Sequence, residues 1–264
     1  MSYTLITGAT GGIGKEFCFT LAKQGENLFL TGRSEEKLLT LKQSLLSVNN
    51  TIDIITYPLD LTDEVNRRKM FLFIDENNLK FSRLINVAGV DIQKGFLSYT
   101  DEKIVFQTRV NTESVFSITH GFLNRLSTDK SLPEIITISS MSGVSPMPNF
   151  AIYSATKCCL TNFFKALRVE LKGKVKITTV MPGGVYTRPD VVNDIKGQGL
   201  WGKLSAKNPD FIVKKSLKAV KRNKKIEIPG FWNKFLYFIL KITPENLTLK
   251  IIRNRWSKQQ KDAF

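Results

Sequence analysis

The sequence predicts a doubly wound α/β fold, with a seven-stranded parallel sheet that has helices on both faces. Two observations lead to this prediction. Short apolar runs alternate with helix-like stretches, and several of the runs, such as residues 135–138 and 177–180, are apolar or β-branched throughout, as in strands covered on both faces. Helical connections between parallel strands form right-handed crossovers. The strands are expected at residues 3–7, 27–31, 52–57, 83–87, 135–139, 175–180 and 225–229.

Length and composition fit one globular domain. With 42% hydrophobic and 23% charged residues, a chain of 264 residues can bury a sizeable core. We predict a single domain over residues 1–264, in which residues 190–264 form a substrate loop and a C-terminal extension. No apolar run reaches the ~18 residues of a membrane span. Three cysteines give no disulfide framework, which favours a reducing cytoplasm.

Other features disfavour several classes of function. The only histidine, His120, lies in a helical pattern and is interpreted as a packing or surface residue, so no metal site is expected. No helix-turn-helix, zinc or RNA-binding motif accompanies the basic charge, so nucleic acid is not an expected partner. The first strand begins at residue 3, so no signal peptide is expected before it.

A glycine-rich turn, Gly8–Gly14, follows the first strand and precedes a helix-like run, Lys15–Lys23. This is the context of a dinucleotide-binding motif. Gly8 permits a tight turn, Gly12 lets the backbone approach a pyrophosphate, and the start of the helix offers free N–H groups. Gly14 allows the helix to pack closely on the strand. Glycine turns without ligands also exist, so this motif does not decide the function by itself.

Tyr153 and Lys157 are four residues apart, which places them on one face of a helix. A tyrosine with a pKa near 10 is a poor acid–base catalyst at neutral pH. A neighbouring ammonium group is expected to lower that pKa towards the working range. A solvated lysine one turn from a half-buried tyrosine would show the same spacing. Ser140 lies thirteen residues upstream of the tyrosine, with Ser139 beside it.

Together these motifs resemble the short-chain dehydrogenase/reductase (SDR) family, classical type. Thr7–Gly14 is similar to its cofactor motif and Tyr153–Lys157 to its active-site motif. Asn86–Gly89 resembles its Asn-Asn-Ala-Gly signature, with Val87 in place of the second asparagine. Asn111 resembles the asparagine of the catalytic tetrad. The motifs follow one another in the family's order.

The resemblance covers residues 1–195 and implies a single-domain Rossmann fold that transfers hydride between a nicotinamide and a carbonyl or alcohol carbon. Tyr153 would exchange a proton with the substrate oxygen, and Ser140, at the family's spacing, would hydrogen-bond that oxygen. Lys157 would lower the pKa of the tyrosine and bind the nicotinamide ribose. Asn111 would hold the lysine through a water-connected proton relay.

The resemblance also implies a set of cofactor-binding residues. Pro182-Gly183 followed by Thr187 resembles the turn beside the nicotinamide, and Asp60-Leu61 resembles the pair that contacts the adenine. The expected cofactor residues are Gly8, Thr10, Gly11, Gly12, Ile13, Gly14, Arg33, Ser34, Asp60, Leu61, Asn86, Ala88, Gly89, Tyr153, Lys157, Pro182, Gly183, Val185 and Thr187.

The end of the second strand favours NADP(H) over NAD(H). Enzymes that prefer NAD generally place a carboxylate there, and residues 30–34 contain none. Arg33 can form a charge-assisted fork with a 2′-phosphate, and Ser34 can add a hydroxyl. Arg33 as a solvated loop residue is the alternative. Because cytoplasmic NADP pools are mostly reduced, the family's chemistry then favours carbonyl reduction.

The C-terminal part of the chain is basic and aromatic. From residue 203 onward there are 16 basic and 4 acidic residues, which supplies +12 of the net charge of +16. The apolar run Phe231–Leu240 is too short to span a bilayer but suits an interfacial or partner-packing helix. In Leu247–Trp256, leucine and isoleucine alternate with basic residues. The tail is expected to cover the substrate pocket or a subunit interface, or to lie on an anionic membrane surface. A lysine-rich proteome would also explain the lysine excess without any partner.

The segment Asp190–Gly202 contains three glycines and is expected to be a mobile substrate loop. An apolar pocket is expected from Val144, Met147, Phe150, Val185 and Trp201. The sequence thus predicts a cytoplasmic NADPH-dependent reductase of a hydrophobic carbonyl or alcohol, forming a homodimer or homotetramer by resemblance. Two alternatives stay open: a reductase of a lipid or long-chain acyl intermediate peripheral to the membrane, and a catalytically idle NADP-binding sensor.

Overall fold

The computed structural model describes residues 1–128, 131–187, 189–197 and 199–256. Seven strands among them form one parallel sheet in the order β3-β2-β1-β4-β5-β6-β7. The strands are β1 Tyr3–Thr7, β2 Asn27–Gly32, β3 Ile54–Pro58, β4 Phe81–Asn86, β5 Glu134–Ile138, β6 Lys176–Val180 and β7 Ile226–Glu227. The doubly wound α/β fold is confirmed, and every strand overlaps the residues predicted for it.

Helices connect the strands and cover both faces of the sheet. They are α1 Gly12–Lys23, α2 Glu35–Leu46, α3 Glu64–Glu76, α4 Asp101–Thr108, α5 Ser114–Leu123, α6 Ala151–Glu170, α7 Pro189–Gly197, α8 Gly199–Ser205, α9 Pro209–Lys221, α10 Phe231–Ile242 and α11 Glu245–Trp256. A five-residue π-helical segment, Arg109–Glu113, joins α4 to α5. Residues 1–264 as one domain stays a prediction.

Side chains that alternate in direction along each strand divide the core into two layers. Leu5 packs with buried residues of α3, α5 and α6, whereas its neighbour Ile6 packs with those of α1, α2 and α9. Successive side chains of a strand point to opposite faces of the sheet, so the two groups of helices cover opposite faces. This is why the strands have apolar residues on both faces rather than on alternate positions only.

The strand order reverses direction between β1 and β4, and the turn after β1 lies at this point. Gly8 has φ +66°, and a Cβ there would come within 2.9 Å of the Ala88 backbone. A Cβ at Gly14 would lie 2.1 Å from the Gly8 carbonyl oxygen. Helix α1 begins at Gly12, earlier than the predicted run, because the glycines allow the helix to start within the turn. A crevice at such a reversal is the usual ligand site of an open α/β sheet.

The segment predicted as a mobile loop, Asp190–Gly202, is helical instead. It forms most of α7 and α8. Val191 and Ile195 are four residues apart and share one face of α7, and Ile195 is only 3% exposed. Pro189 at the first helical position further favours the helix. The prediction was wrong because Gly197 and Gly199 lie at the adjoining ends of two helices, and Gly202 lies inside α8.

The C-terminal run predicted to be helical forms α10, and α11 follows it after a short turn. Among the residues described, no helix combines the length and apolarity that crossing a bilayer requires. His120 is exposed near the end of α5.

Gly14→Ala should lower the free energy of unfolding by about 2–3 kcal/mol, because the added methyl group meets backbone that cannot move without opening the turn. Urea denaturation measures the change. Gly197→Ala is the matched control, since among the described residues no atom beyond its chain neighbours and its own helix backbone lies within 4 Å of a Cβ at that position. Equal losses in the two variants would contradict the close packing described here.

Candidate active site

A cavity of about 1110 Å³ lies at the carboxyl ends of the strands. Gly8, Thr10, Gly11, Gly12 and Arg33 line one part of it, and Ser140, Tyr153 and Lys157 line another. Arg33 follows β2 and Ser140 follows β5, which stand three positions apart in the sheet, so these parts are separated by roughly 14 Å. The cavity is therefore long enough for an extended ligand that reaches from the glycine turn to the tyrosine.

The glycine turn and the start of α1 line this cavity, and the first N–H groups of a helix have no acceptor within the helix. Gly11 is the N-cap of α1 and contributes no side-chain capping bond, and the first turn contains no acidic residue. Helix N-termini of this kind bind phosphate groups. A Cβ at Gly12 would lie 2.7 Å from the Thr187 side chain, so only glycine leaves the backbone open to a ligand here. The residues present thus fit a dinucleotide pyrophosphate.

Ser140 and Tyr153 form the reactive wall of the cavity. Ser140 is the N-cap of a short 3₁₀ turn, Met141–Gly143, and its Oγ accepts a hydrogen bond from the Ser142 N–H at 3.0 Å. The Ser140 side chain lies beside the Tyr153 phenol, where hydrogen bonding to it lowers the pKa of the tyrosine. The Tyr153 ring stacks on Phe150 with centroids 4.4 Å apart, which orients the phenol.

Close packing of the 3₁₀ turn against α6 aligns this wall. A Cβ at Gly143 would lie 2.7 Å from the Lys157 carbonyl carbon, so the turn touches the helix backbone directly. Ser139 Oγ donates to the Lys157 carbonyl oxygen at 2.9 Å and shares a hydrogen bond with Thr161. The Ser139 side chain is thus held by α6, and Ser140 is the serine that acts on the tyrosine.

Lys157 is buried behind the tyrosine, with only 4% of its surface exposed. Its Nζ donates to the Ile138 carbonyl oxygen at 3.1 Å and lies 5.6 Å from the centre of the Tyr153 ring. Burial lowers the pKa of Lys157 to about 8, and the charge of Asp91 partly opposes that shift. The amino group is still mostly protonated at neutral pH.

The pKa of Tyr153 differs from the expectation based on sequence. Burial, followed by the negative charge of Asp91, raises it above its ordinary value, and the Ser140 hydrogen bond only partly offsets this. The lysine does not reverse the shift because its Nζ is directed to Ile138 and lies over the ring. Tyr153 is therefore held in its protonated form at neutral pH, as a proton donor must be.

Asn111 lies in the π-helical segment and is fully buried. Its Oδ1 accepts from the Val90 N–H at 2.8 Å, and its Nδ2 donates to the Val90 carbonyl at 2.9 Å and to Thr156 Oγ1 at 3.1 Å. A Cβ at Gly89 would lie 3.3 Å from both Asn111 Oδ1 and Lys157 Nζ. Through these hydrogen bonds Asn111 joins the strand-to-helix connection after β4 to α6, beside Lys157.

Asp91 is a charged residue of this cavity that the sequence reasoning missed. It follows Val90, whose backbone Asn111 holds on both sides, and it lines the cavity with Tyr153 and Lys157. Its charge raises the pKa of both of these groups. The sequence signal that could have identified Asp91 is its position two residues after the Asn-Val-Ala-Gly signature.

Most of the predicted site residues line the one cavity. Gly8, Thr10, Gly11, Gly12, Ile13, Arg33, Asp60, Leu61, Ala88, Gly89, Ser140, Tyr153, Lys157, Pro182, Gly183, Val185 and Thr187 do so. Gly14, Ser34, Asn86 and Asn111 lie outside its lining. Asn86 Nδ2 bonds Thr119 and Thr137 inside the core, and Ser34 Oγ caps α2 by accepting from Lys37 N–H at 3.2 Å.

The apolar part of the cavity is larger than predicted. Met147, Phe150 and Val185 line it, but Val144 packs beside the cavity with Met141, and the Trp201 side chain lies outside the described residues. The additional apolar lining comes from the two C-terminal helices: Leu236, Ile239, Leu240, Ile251 and Ile252. The sequence pattern indicated helices there but could not assign which face turns inward.

Asn233 anchors α10 to the rest of the protein. It is 1% exposed, and its Nδ2 donates to the Ser205 carbonyl at 2.9 Å and to the Pro229 carbonyl at 2.8 Å. A Cβ at Gly183 would lie 2.7 Å from Asn233 Oδ1. One side chain thus joins the end of α8, the start of α10 and the Pro182-Gly183 turn.

Comparisons with known proteins agree with this geometry. The short chain dehydrogenase family model matches residues 2–194. The 11-beta-hydroxysteroid dehydrogenase-like 3 of Arabidopsis thaliana is 31% identical over 256 residues, covering 91% of this chain and 77% of that protein. The very-long-chain 3-oxoacyl-CoA reductase of Candida glabrata is 28% identical over 257 residues, covering 89% and 70%.

A solved structure has the same fold. The short-chain dehydrogenase from Sphingobium yanoikuyae in complex with NADPH aligns with a TM-score of 0.75 at 22% identity, covering 100% of both chains. The family match extends over most of the chain and includes the glycine turn, Ser140, Tyr153 and Lys157. This protein therefore belongs to the short-chain dehydrogenase/reductase family of oxidoreductases.

Proposed function

We propose that this oxidoreductase is an NADPH-dependent reductase of a hydrophobic carbonyl compound. The observation that carries the proposal is the arrangement of Ser140, Tyr153 and Lys157 on one wall of a cavity whose other part is an open helix N-terminus. An idle cofactor sensor would not need a serine–tyrosine–lysine wall of this kind. The preference for NADP and the class of substrate belong to the proposal.

Each residue of the wall has a separate role in the proposed reaction. When bound, NADPH supplies a hydride to the carbonyl carbon. Tyr153 donates its phenolic proton to the carbonyl oxygen, and the Ser140 hydroxyl donates a hydrogen bond to the same oxygen as negative charge develops on it. The Lys157 ammonium stabilises the phenolate that remains. Asn111, through Val90, keeps the connection after β4 in place beside the lysine.

Arg33 supports the preference for NADP. It lines the cavity directly after β2, where an enzyme specific for NAD would carry a carboxylate for the adenosine ribose. Its guanidinium can pair with a 2′-phosphate, and the neighbouring Ser34 hydroxyl can add a hydrogen bond. A complex of NADPH with a protein of the same fold is consistent with this choice.

The apolar lining supports a hydrophobic substrate. Relatives described as hydroxysteroid dehydrogenase-like and as very-long-chain 3-oxoacyl-CoA reductases point to ring or chain substrates of this kind. A lipid or long-chain acyl intermediate is the second candidate, favoured by the apolar faces that α10 and α11 turn to the cavity and to the surface. A homodimer or homotetramer is proposed from the family.

Tyr153→Phe should lower turnover of a carbonyl substrate by about 10²–10⁴-fold, because the ring and its stacking stay while the proton donor is lost. NADPH oxidation over a series of ketones of rising chain length measures turnover, and fluorescence titration should show nearly unchanged NADPH affinity. Tyr57→Phe is the control, because Tyr57 lies outside the cavity lining. Full activity in Tyr153→Phe would exclude this mechanism.

Arg33→Ala should weaken NADPH binding by about tenfold or more while changing NADH binding little, because only NADPH carries the 2′-phosphate. Dissociation constants for both cofactors measure the difference. Lys37→Ala, which removes an exposed positive charge in the first turn of α2, is the control for a general electrostatic effect. Equal weakening of both cofactors by Arg33→Ala would remove the argument for NADP.

The rate of carbonyl reduction should fall as pH rises past about 8, because Lys157, with its pKa at about 8, then loses its positive charge. Asp91→Asn removes a negative charge that raises the pKa of Lys157 and Tyr153, so it should move this decline to lower pH. The measurement is kcat/KM against pH. The exposed Asp101→Asn should leave the profile in place, and an unmoved profile in Asp91→Asn would refute the assignment.

A further inference from the structure

The outer face of α10 is an apolar stripe. Phe231, Phe235, Phe238 and Ile242 recur at a spacing of four, three and four residues, which places them on one side of the helix. They are 74%, 47%, 59% and 62% exposed. Trp232 packs edge-on against Phe231 and Phe235, with centroids 5.7 and 6.2 Å away. Large aromatic side chains in such a contiguous exposed patch mark an interaction surface.

Helix α11 extends this surface. Leu247 and Ile251, one turn apart, are 50% and 57% exposed, while Thr248 between them is buried. We call the exposed side chains of Phe231, Trp232, Phe235, Phe238, Ile242, Leu247 and Ile251 the apolar face. It includes aromatic rings at one end and aliphatic side chains at the other, and the described residues place nothing over it.

Positive charge borders the apolar face. Lys234 and Lys241 on α10 and Lys250 and Arg253 on α11 are exposed, and Glu245 is the one acidic residue of the two helices. A second copy of the chain docked face to face would bring these like charges together. An anionic lipid surface instead pairs with them while the apolar side chains enter the acyl boundary.

The same two helices form a wall of the catalytic cavity. Leu236, Leu240 and Ile252 line the cavity from within. Ile251 lines the cavity and is also 57% exposed, so the mouth of the cavity borders the apolar face. A hydrophobic molecule at this face is adjacent to the route that leads to Tyr153.

We propose that the apolar face docks on an anionic bilayer, in whose plane α10 and α11 lie, and that the substrate enters the cavity from the lipid beside Ile251. The entrance route rests on the proposed reductase function, whereas the docking does not. Asn233 fixes the inner side of α10 to Ser205 and Pro229, so the outer stripe stays available to lipid. Partition from the bilayer then raises the local concentration of a poorly soluble substrate at the cavity mouth.

Docking is tested by co-sedimentation with vesicles of equal parts phosphatidylcholine and phosphatidylserine at low salt. The full-length protein should bind, and Phe235→Ser/Phe238→Ser should reduce binding by about tenfold or more. Lys234→Gln/Lys241→Gln should reduce it by about fivefold for each lysine. The control, Val65→Ser/Leu72→Ser, removes two comparably exposed side chains from α3 (58% and 59%) and should bind normally.

The entrance route is tested by measuring turnover of two substrates. Phe235 and Phe238 do not line the cavity, so their substitution leaves the cavity lining unchanged. Phe235→Ser/Phe238→Ser should keep the turnover of a short water-soluble ketone but lose turnover of a long-chain ketone held in the vesicles. Equal loss for both ketones would overturn the route. The unmodified protein can also bind vesicles, lose that binding in the variant and yet turn over no ketone. That result would support the docking proposal and refute the reductase function.

Sedimentation velocity without lipid tests the other candidate for binding at the apolar face, which is a second copy of the chain. No vesicle binding by the full-length protein, together with a dimer that Phe235→Ser/Phe238→Ser converts to monomer, would overturn the proposal and assign the apolar face to a second copy of the chain. An oligomeric state that the variant leaves unchanged, with vesicle binding lost, supports the bilayer.

Discussion

The contact between the 3₁₀ turn after β5 and the backbone of α6 is the constraint on which the active site depends. Gly143 brings this turn against α6 at Lys157, where any side chain would collide with the helix backbone. Ser139 adds two hydrogen bonds to the same stretch of α6. The end of the sheet and the start of the helix therefore hold one position relative to each other. Ser140 meets Tyr153 because of that position.

The electrostatics of the site follow from this enclosure. Bringing Lys157 and Tyr153 into a buried space disfavours the charged form of each, which lowers the pKa of one and raises that of the other. Asp91 favours the protonated form of both. The result at neutral pH is a phenol that keeps its proton beside a lysine that keeps its charge. This is the protonation state that carbonyl reduction requires, since the phenol must donate and the ammonium must then stabilise the phenolate.

The two C-terminal helices connect the site to the surface. They line the cavity with aliphatic side chains and present an apolar, positively bordered face outward. In a stable helix, apolar residues on more than one side need more than one apolar environment. The protein core accounts for the inner side of α10, around Asn233, Leu236 and Leu240. The proposed docking on a lipid surface would account for the outer side and for the basic charge that accompanies it.

Much of the fold and of the candidate site was predictable from short-range patterns. β-branched runs specify strands, a glycine turn between a strand and a helix specifies an open helix N-terminus, and Tyr153 and Lys157 share a helix face at a spacing of four. The prediction for Asp190–Gly202 failed because glycine content outweighed the spacing of Val191 and Ile195. Asp91 was missed because one carboxylate has no sequence signature apart from its neighbours.

By itself the sequence determined the parallel sheet, the order of its elements and the residues that can do chemistry, since these depend on local periodicity and on the conformational freedom of glycine. The tertiary structure decided which of two adjacent serines meets the tyrosine, where the Lys157 amino group is directed, and that Asn111 clasps Val90. It also decided which side of α10 faces the cavity. The physical reason is that burial, hydrogen-bond partners and pKa depend on neighbours that are distant along the chain and close only in the fold.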